Sequence, residues 1–400
     1  MIQVEGKRNT ATVYADTLEE GATGQIRTLC DQAFTQGSRI RMMPDVHAGA
    51  GCVIGTTMTI HGKIVPNLVG VDIGCGMETV TIEQKRADYP KLDSLIRKKI
   101  PSGMNVRETA HAFADEIDLL ALRCGEKLGI DRGYLSIGTL GGGNHFIEVD
   151  KDDEENLYLV VHSGSRHLGL EVAKFYQQAA WDQRNGRSLL QRETLIRDLR
   201  EQGREQDIQN VLIALKKDTS GIPFALAYVE GELFDDYLHD MAIMQRFADL
   251  NRKAMVREIL RGMKWDEADR FTTVHNYIDT KAMILRKGAV SAAAGQRLLI
   301  PMNMRDGSLI CIGKGNEDWN FSAPHGAGRL MSRKAAKESF TLSEFKKQMQ
   351  DVFSTTVAKD TLDECPMAYK RMDSIIGSIA PTADIEGIIK PTYNFKAGEE

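Results

Sequence analysis

Five of the nine histidines in this 400-residue chain share one local setting. Asp45-Val46-His47-Ala48-Gly49, Asn144-His145-Phe146, Val161-His162-Ser163-Gly164, Val274-His275-Asn276 and Pro324-His325-Gly326-Ala327-Gly328 each place an imidazole at the close of an apolar extended run, followed by small or polar residues. One such histidine alone is more often a hydrogen-bonded core or loop residue than a ligand. Five of one pattern shift the balance, because strand ends that feed glycine-rich loops are where binding and catalytic groups are mounted. His61, His111 and His239 stand in turn or helical contexts and are read as structural.

A second feature is Gly70-Val71-Asp72-Ile73-Gly74-Cys75-Gly76-Met77. A carboxylate and a thiol three residues apart lie among glycines that let the backbone approach a ligand closely. A lone cysteine is usually a small buried hydrophobe, yet three glycines and an aspartate are poor core material, which favours a site loop. One thiolate has lone pairs enough to bridge two metals, and histidine nitrogens with the aspartate could complete both shells. Two divalent ions held in this way would clamp the attacking and leaving oxygens of a phosphoryl transfer.

The elements that must position these groups follow from periodicity. A helix is expected over 21–35, extended runs at 38–44, 52–60 and 77–82, and helices near 90–100 and 108–128. Strands are expected at 145–149 and 157–162. A charged, mostly helical stretch occupies 167–262, broken near Gly221-Ile222-Pro223. Strand-like segments return over 271–313, helices at 327–352 and 367–379, and an extended tail closes the chain. Strands, a helical block and strands again predict an α+β fold: one mixed α/β body over residues 1–400 with a helical insertion at about 167–262, without the alternation of a doubly wound sheet.

Charged residues at 27% and hydrophobic residues at 42% fit an ordinary globular composition. No apolar run is long enough to span a bilayer, the first residues lack a signal-peptide layout, and the six cysteines show no C-x-x-C pairing. A reducing cytoplasm is therefore expected. The net charge of −5 argues against a protein that coats nucleic acid non-specifically, though not against an RNA enzyme with a local basic patch.

Taken together, several strings resemble the RtcB family of RNA ligases. They are Gly70–Met77, Leu140-Gly141-Gly142-Gly143-Asn144-His145-Phe146-Ile147-Glu148, His162-Ser163-Gly164-Ser165-Arg166, Arg286-Lys287-Gly288-Ala289, His325-Gly326-Ala327-Gly328-Arg329 and Pro366-Met367-Ala368-Tyr369-Lys370. They occur in order from about Met43 to the tail. The resemblance implies a GTP- and manganese-dependent ligase that joins RNA 3′-phosphate or 2′,3′-cyclic phosphate ends to 5′-hydroxyl ends through a guanylylated histidine. Asp72, Cys75 and His145 would hold one Mn2+, and Cys75, His162 and His275 a second. His325 would be the nucleophile. Asn144, His145, Phe146, Ile147, Glu148, His275, Asn276, the loop Pro301-Met302-Asn303-Met304, Ser308, His325, Gly326, Ala327, Gly328 and Lys396 would line the guanylate pocket. Arg166 and Arg329 would meet RNA phosphates, with Arg333, Lys334 and Lys337 as outer contacts. The glycines after His325 are expected to open a helix whose backbone N–H groups cradle phosphate.

The chain departs from the family at three places. Pro301-Met302-Asn303-Met304 stands where relatives usually show Pro-Gly-Ser-Met, Ala50 stands where a lysine or aromatic is common, and Val290-Ser291-Ala292-Ala293-Ala294 lacks a frequent arginine. With every ligand and the nucleophile intact, a divergent but active ligase is expected, serving a narrower substrate such as a nicked structured RNA. Manganese follows from the resemblance alone, since three imidazoles, a thiolate and a carboxylate would bind zinc more tightly. A two-metal RNA phosphatase or cyclic phosphodiesterase would use the same ligands but has no need of His325 or Lys396. A non-catalytic RNA-binding relative would be expected to have lost ligands. No motif names an activating protein partner.

Overall fold

Apolar runs punctuated by glycine and proline fold as strands, and charged amphipathic runs as helices, in a computed structural model that describes residues 1–125, 128–184, 189–214 and 221–397. The chain begins with β1 (Ile2–Glu5), β2 (Thr10–Val13), α1 (Glu20–Cys30), β3 (Ile40–His47), β4 (Ile54–Thr59) and β5 (Gly76–Ile82). Next come α2 (Tyr89–Lys99), α3 (Ile130–Ser136), β6 (Phe146–Lys151) and β7 (Leu157–Ser163). The helical block holds α4 (Arg166–Arg184), α5 (Leu189–Glu201), α6 (Ile208–Ala214) and α7 (Glu232–Met263). Strands resume as β8 (Glu267–Val274), β9 (Asn276–Asp279), β10 (Ile284–Lys287), β11 (Ala289–Ser291), β12 (Arg297–Asn303), β13 (Gly307–Gly313) and β14 (Ser322–Pro324). Helices α8 (Arg333–Ser339), α9 (Leu342–Gln348) and α10 (Met372–Ile379) precede the long β15 (Ala383–Lys396).

The fold is α+β, as expected. One sheet runs β1-β2-β3-β4-β10-β9, a second β12-β13-β15-β6-β7-β5-β8, and β11 pairs with β14 as a ribbon. The 32-residue α7 underlies both halves of the body. Tyr237, Met241, Met244, Phe247, Leu250 and Ala254 join the core beneath the first sheet. Met255, Val256, Ile259 and Met263 join the core behind β5, β6 and β7. Each of the Met, Phe, Leu, Ile and Val side chains contributes about 1.5–3 kcal/mol on burial, so α7 is fixed along its length and can serve as a foundation. Among the described residues no helix is long and apolar enough to cross a membrane.

Two expected helices come out differently. Of the helix expected over 108–128, the described residues form short 3-10 turns, Ala112–Glu116 and Leu119–Ala121, while 126–127 lie outside the described residues. His111 and Asp118 accept from Phe113 N and Leu120 N, and the buried Asp240 of α7 accepts from Arg123 N and Cys124 N at 2.9 and 3.0 Å. Side chains thus capture the donors an α-helix would need. The stretch after His325 stays a loop, and α8 begins at Arg333 with Ser332 accepting from Ala335 N. The expected phosphate-cradling helix start at Gly326 is absent. Within 327–352, a second break comes where Thr341 and Glu344 form a capping box that starts α9 afresh.

Candidate metal centre and nucleotide cleft

Antiparallel pairing brings four separated histidine and cysteine segments to one edge of the second sheet. Gly76 at the start of β5 faces both Ser163 at the end of β7 and Val274 at the end of β8. Phe146 at the start of β6 faces His162. His145 immediately precedes β6, at the start of the strand expected over 145–149, with the glycine run before it. Cys75, His145, His162 and His275 are thereby neighbours although 200 residues separate Cys75 from His275 in sequence.

Cys75 Sγ lies 3.3 Å from His162 Nε2 and 3.5 Å from His145 Nε2, and His145 Nε2 lies 2.9 Å from Asp72 Oδ2. Two triads result, Cys75-His162-His275 and Asp72-Cys75-His145, each with ligand atoms within 4.8 Å of one another. Cys75 belongs to both. Two glycines make the approach possible. A Cβ on Gly74, at φ +73°, would stand 2.9 Å from the Gln245 backbone of α7, and one on Gly164 would fall 2.1 Å from Asp72 Oδ1.

The donor set fits a cation. His145 Nδ1 donates to Leu140 O at 2.8 Å and His162 Nδ1 to Asn144 O at 3.1 Å. A carbonyl can only accept, so in the neutral imidazoles Nε2 carries the lone pair, and both lone pairs point toward Cys75. An imidazole lone pair facing a carboxylate at 2.9 Å calls for a positive species between them. His275 adds a buried Nδ1 with no hydrogen-bond partner among the described residues. Burial, followed by neighbouring imidazoles, holds His162 and His275 well below the ordinary histidine value, so both are neutral and competent as ligands. Burial and then Asp72 push the Cys75 thiol far up, so a metal must displace its proton. Burial would raise the Asp72 carboxyl, but the neighbouring His145, Cys75 and Arg166 outweigh it and keep the carboxylate ionised.

His325 follows β14, whose Pro324 pairs with Ala289, and Ala289 N donates to His275 O at 3.2 Å. The His275 and His325 rings are 5.0 Å apart. The His325 Nδ1 donates to Asp45 Oδ2 at 2.7 Å, and its backbone N–H donates to the same oxygen at 3.1 Å. Asp45 is fully buried at the turn of β3. Its carboxylate fixes Nδ1 as the protonated nitrogen and leaves the Nε2 lone pair available. The motif around His47 flagged this strand end, but nothing in it assigned a role to Asp45. His47 lines the same cleft, with its Nδ1 on Asp45 O at 2.9 Å.

The cleft holds about 380 Å3, within the range for small-molecule sites. Asp72, Cys75, His162, His275 and His325 lie in its wall together with Asn144, Phe146, Glu148, Asn276, Pro301–Met304, Gly326–Gly328 and Lys396. Arg329, Arg333, Glu364 and Tyr369 complete the lining. Glu364, 2% exposed, joins the last group: it accepts from Arg329 Nη1 at 3.2 Å, Arg333 Nη1 at 2.7 Å and Tyr369 Oη at 2.7 Å, and pairs with Lys396. Burial would raise its carboxyl, but Lys396, Arg333 and Arg329 hold it at about 2. Sequence reading passed over Glu364, whose partners are known only once the tail strand and the loop after His325 meet.

Other expected residues lie elsewhere. Ile147 alternates to the far face of β6 and packs in the core with Val149 and Val161. Ser308 is buried on β13 opposite Pro301. Arg166 is outside the cleft lining: its guanidinium lies against Gly141 and donates to Gly103 O at 2.8 Å and Thr139 Oγ1 at 3.2 Å. Arg329 donates to Met331 O, Glu364, Tyr369 and Asp363 O, so an RNA phosphate would have to share its donors. On α8, Lys334 is exposed and Lys337 reaches Asp363. The charged stretch at 190–217 extends in part beyond the described residues.

The sequence matches a family model described as tRNA-splicing ligase RtcB over residues 26–134 and 123–397. RNA-splicing ligase RtcB of Escherichia coli K12 is 31% identical over 390 residues, covering 86% of this chain and 87% of that protein. RNA-splicing ligase RtcB1 of Escherichia coli ATCC 25922 is 31% identical with the same coverage. tRNA-splicing ligase RtcB of Aeropyrum pernix is 26% identical over 467 residues, covering 92% of this chain and 90% of that protein.

Proposed function

We infer the reaction from one premise: this chain belongs to the RtcB family and is an RNA ligase. We propose that it joins an RNA 3′-phosphate, or a 2′,3′-cyclic phosphate after hydrolysis, to a 5′-hydroxyl, using GTP and manganese. The observation that carries this reading is His325, held by Asp45 on Nδ1 and 5.0 Å from the His275 ring of the metal cluster. A two-metal hydrolase, which activates water on its ions, has no need of such a nucleophile.

Asp72, Cys75, His145, His162 and His275 would hold two divalent ions, which when bound supply positive charge to phosphate oxygens. His325 Nε2 attacks the α-phosphorus of GTP; the N–P bond forms and the P–O bond to pyrophosphate breaks. Asp45 stabilises the imidazolium character that develops on the ring. An oxygen of the RNA 3′-phosphate then takes the guanylyl group as the N–P bond breaks. Finally the 5′-hydroxyl attacks the activated 3′-phosphorus, loses its proton, and GMP departs. Phe146, Glu148, Tyr369 and Lys396 are proposed to seat the nucleoside, Asn144, Asn276, Pro301–Met304 and Gly326–Gly328 the remaining guanylate, with Ile147 and Ser308 packing behind them. Arg166 and Arg329 are proposed to engage or position the RNA ends.

The decisive assay joins two RNA strands, one with a labelled 3′-phosphate and one with a 5′-hydroxyl. The label should end in the new phosphodiester, and only when GTP is present. Loss of the label as free phosphate without joining would favour the two-metal phosphatase.

Two further results are expected. Burial raises Glu148 to about 7, against the hydrogen bond from Asn394 and the charge of Lys396. Guanine offers N–H donors, which the ionised carboxylate accepts and the protonated one meets poorly. GTP affinity should therefore be flat above pH 7 and fall below it, by roughly tenfold per pH unit at the limit. Glu148→Gln should flatten that profile; an unchanged slope in the variant would assign the titration elsewhere. Separately, Arg329→Ala should weaken joining. Because it also frees Glu364 and Tyr369, self-labelling should fall with it. Labelling at the wild-type rate would instead make Arg329 an RNA contact alone.

A further inference from the structure

Two consecutive buried residues of α7, Asn251 and Arg252, form six hydrogen bonds, all to the segments that carry the candidate metal ligands. Arg252 Nη1 donates to Gly74 O at 2.8 Å and to Ser163 O at 2.9 Å. These carbonyls flank Cys75 on one strand start and His162 on the adjacent strand end. Asn251 Nδ2 donates to Ser163 Oγ and Gly164 O, both at 3.1 Å, while its Oδ1 accepts from Gly138 N at 2.8 Å and Thr139 N at 3.0 Å. Gly138 and Thr139 lead into Leu140, whose carbonyl accepts from both His145 Nδ1 at 2.8 Å and Ser163 Oγ at 2.9 Å. Three loops thus converge on two side chains.

Core packing gives no reason for these residue types. Around them α7 buries Phe247, Ala248, Leu250, Ala254, Met255 and Val256, all apolar. Arg252 is 1% exposed, and its Nε is buried without a partner among the described residues. Burying a guanidinium costs more stability than burying an aliphatic side chain of similar volume. What the guanidinium achieves is local: one nitrogen sets the spacing of two carbonyls on neighbouring strands at the edge where the ligands project. We propose that Asn251 and Arg252 are positioning residues of the metal centre, holding the backbones beside Cys75, His145 and His162 at the separation at which those side chains share ions. The proposal rests on the reading of that cluster as a metal centre.

Metal binding itself is the readout. Manganese affinity is measured by equilibrium dialysis, and cobalt serves as a probe through its thiolate charge-transfer absorption. Arg252→Met and Asn251→Asp should each weaken manganese binding about 10–100-fold, the range for residues that orient ligands, and should diminish the thiolate band. Arg252→Lys, whose single nitrogen can still reach both carbonyls, should recover most of the loss. Met255→Ala, at an apolar core position of the same helix, should lower thermal stability while leaving metal affinity unchanged. If Arg252→Met does not fold, Asn251→Asp decides by the same measurements. Wild-type protein that binds neither metal would overturn the metal reading, and the proposal with it. Wild-type binding matched by Arg252→Met and Asn251→Asp, or an equal loss in Met255→Ala, would overturn the positioning role alone.

Discussion

His325→Ala incubated with GTP and manganese should acquire no guanylate, whereas the wild-type protein gains the mass of one GMP. The ring is the proposed nucleophile, because Asp45, buried and bonded to Nδ1 at 2.7 Å, leaves the lone pair on Nε2. The wild-type adduct should be labile in acid and stable in alkali, as a phosphoramidate is, and ATP should label poorly. Asp45→Asn keeps the shape of the site but offers an amide where the imidazole needs a carboxylate. Labelling should then slow on the order of a hundredfold or more, by comparison with carboxylates that orient catalytic imidazoles elsewhere. Intact-mass measurement decides both. Label retained in His325→Ala would place the nucleophile on another residue and end the proposed mechanism.

The second large effect is expected at Cys75. Its sulfur is the one atom common to both ligand triads, so Cys75→Ser should lower the binding of both ions rather than one, and abolish labelling and joining together. The serine hydroxyl is a weaker ligand and far harder to deprotonate than a thiol. Circular dichroism should stay at the wild-type signal, since the change removes no packing volume of consequence. Cys30, Cys52, Cys124, Cys311 and Cys365 are buried away from the triads, and serine at any of them should leave metal content intact. Full activity in Cys75→Ser would reduce that residue to a packing role.

Much of this site was legible in sequence because its chemistry is written in short contiguous strings. The glycine-framed Asp72 and Cys75, the four further histidines and the order of the strands needed only local pattern, and the α+β class followed from where the helical stretch interrupts the strands. Sequence could also propose that these residues meet, through family resemblance. It could not say by what means. Antiparallel register at one sheet edge does that, as Gly76 meets Ser163 and Val274, and register is a property of pairing between segments far apart in the chain.

What tertiary structure alone decided are the partners of the charged groups. Asp45 and His325 are 280 residues apart, Lys396 joins Glu364 only because β15 runs back beside β6, and Asn251 and Arg252 look like ordinary polar positions on a charged helix until three loops are seen to rest on them. The helix expected over 108–128 failed for the same reason, its backbone donors having been taken by Asp240 from α7. Arg166 follows a ligand motif yet turns its guanidinium onto Gly103 and Thr139 rather than into the cleft. Periodicity reports which face of an element is apolar. The partner of a buried charge is set by desolvation, which penalises every arrangement that leaves it unpaired, and that penalty is known only once the whole chain has closed around it.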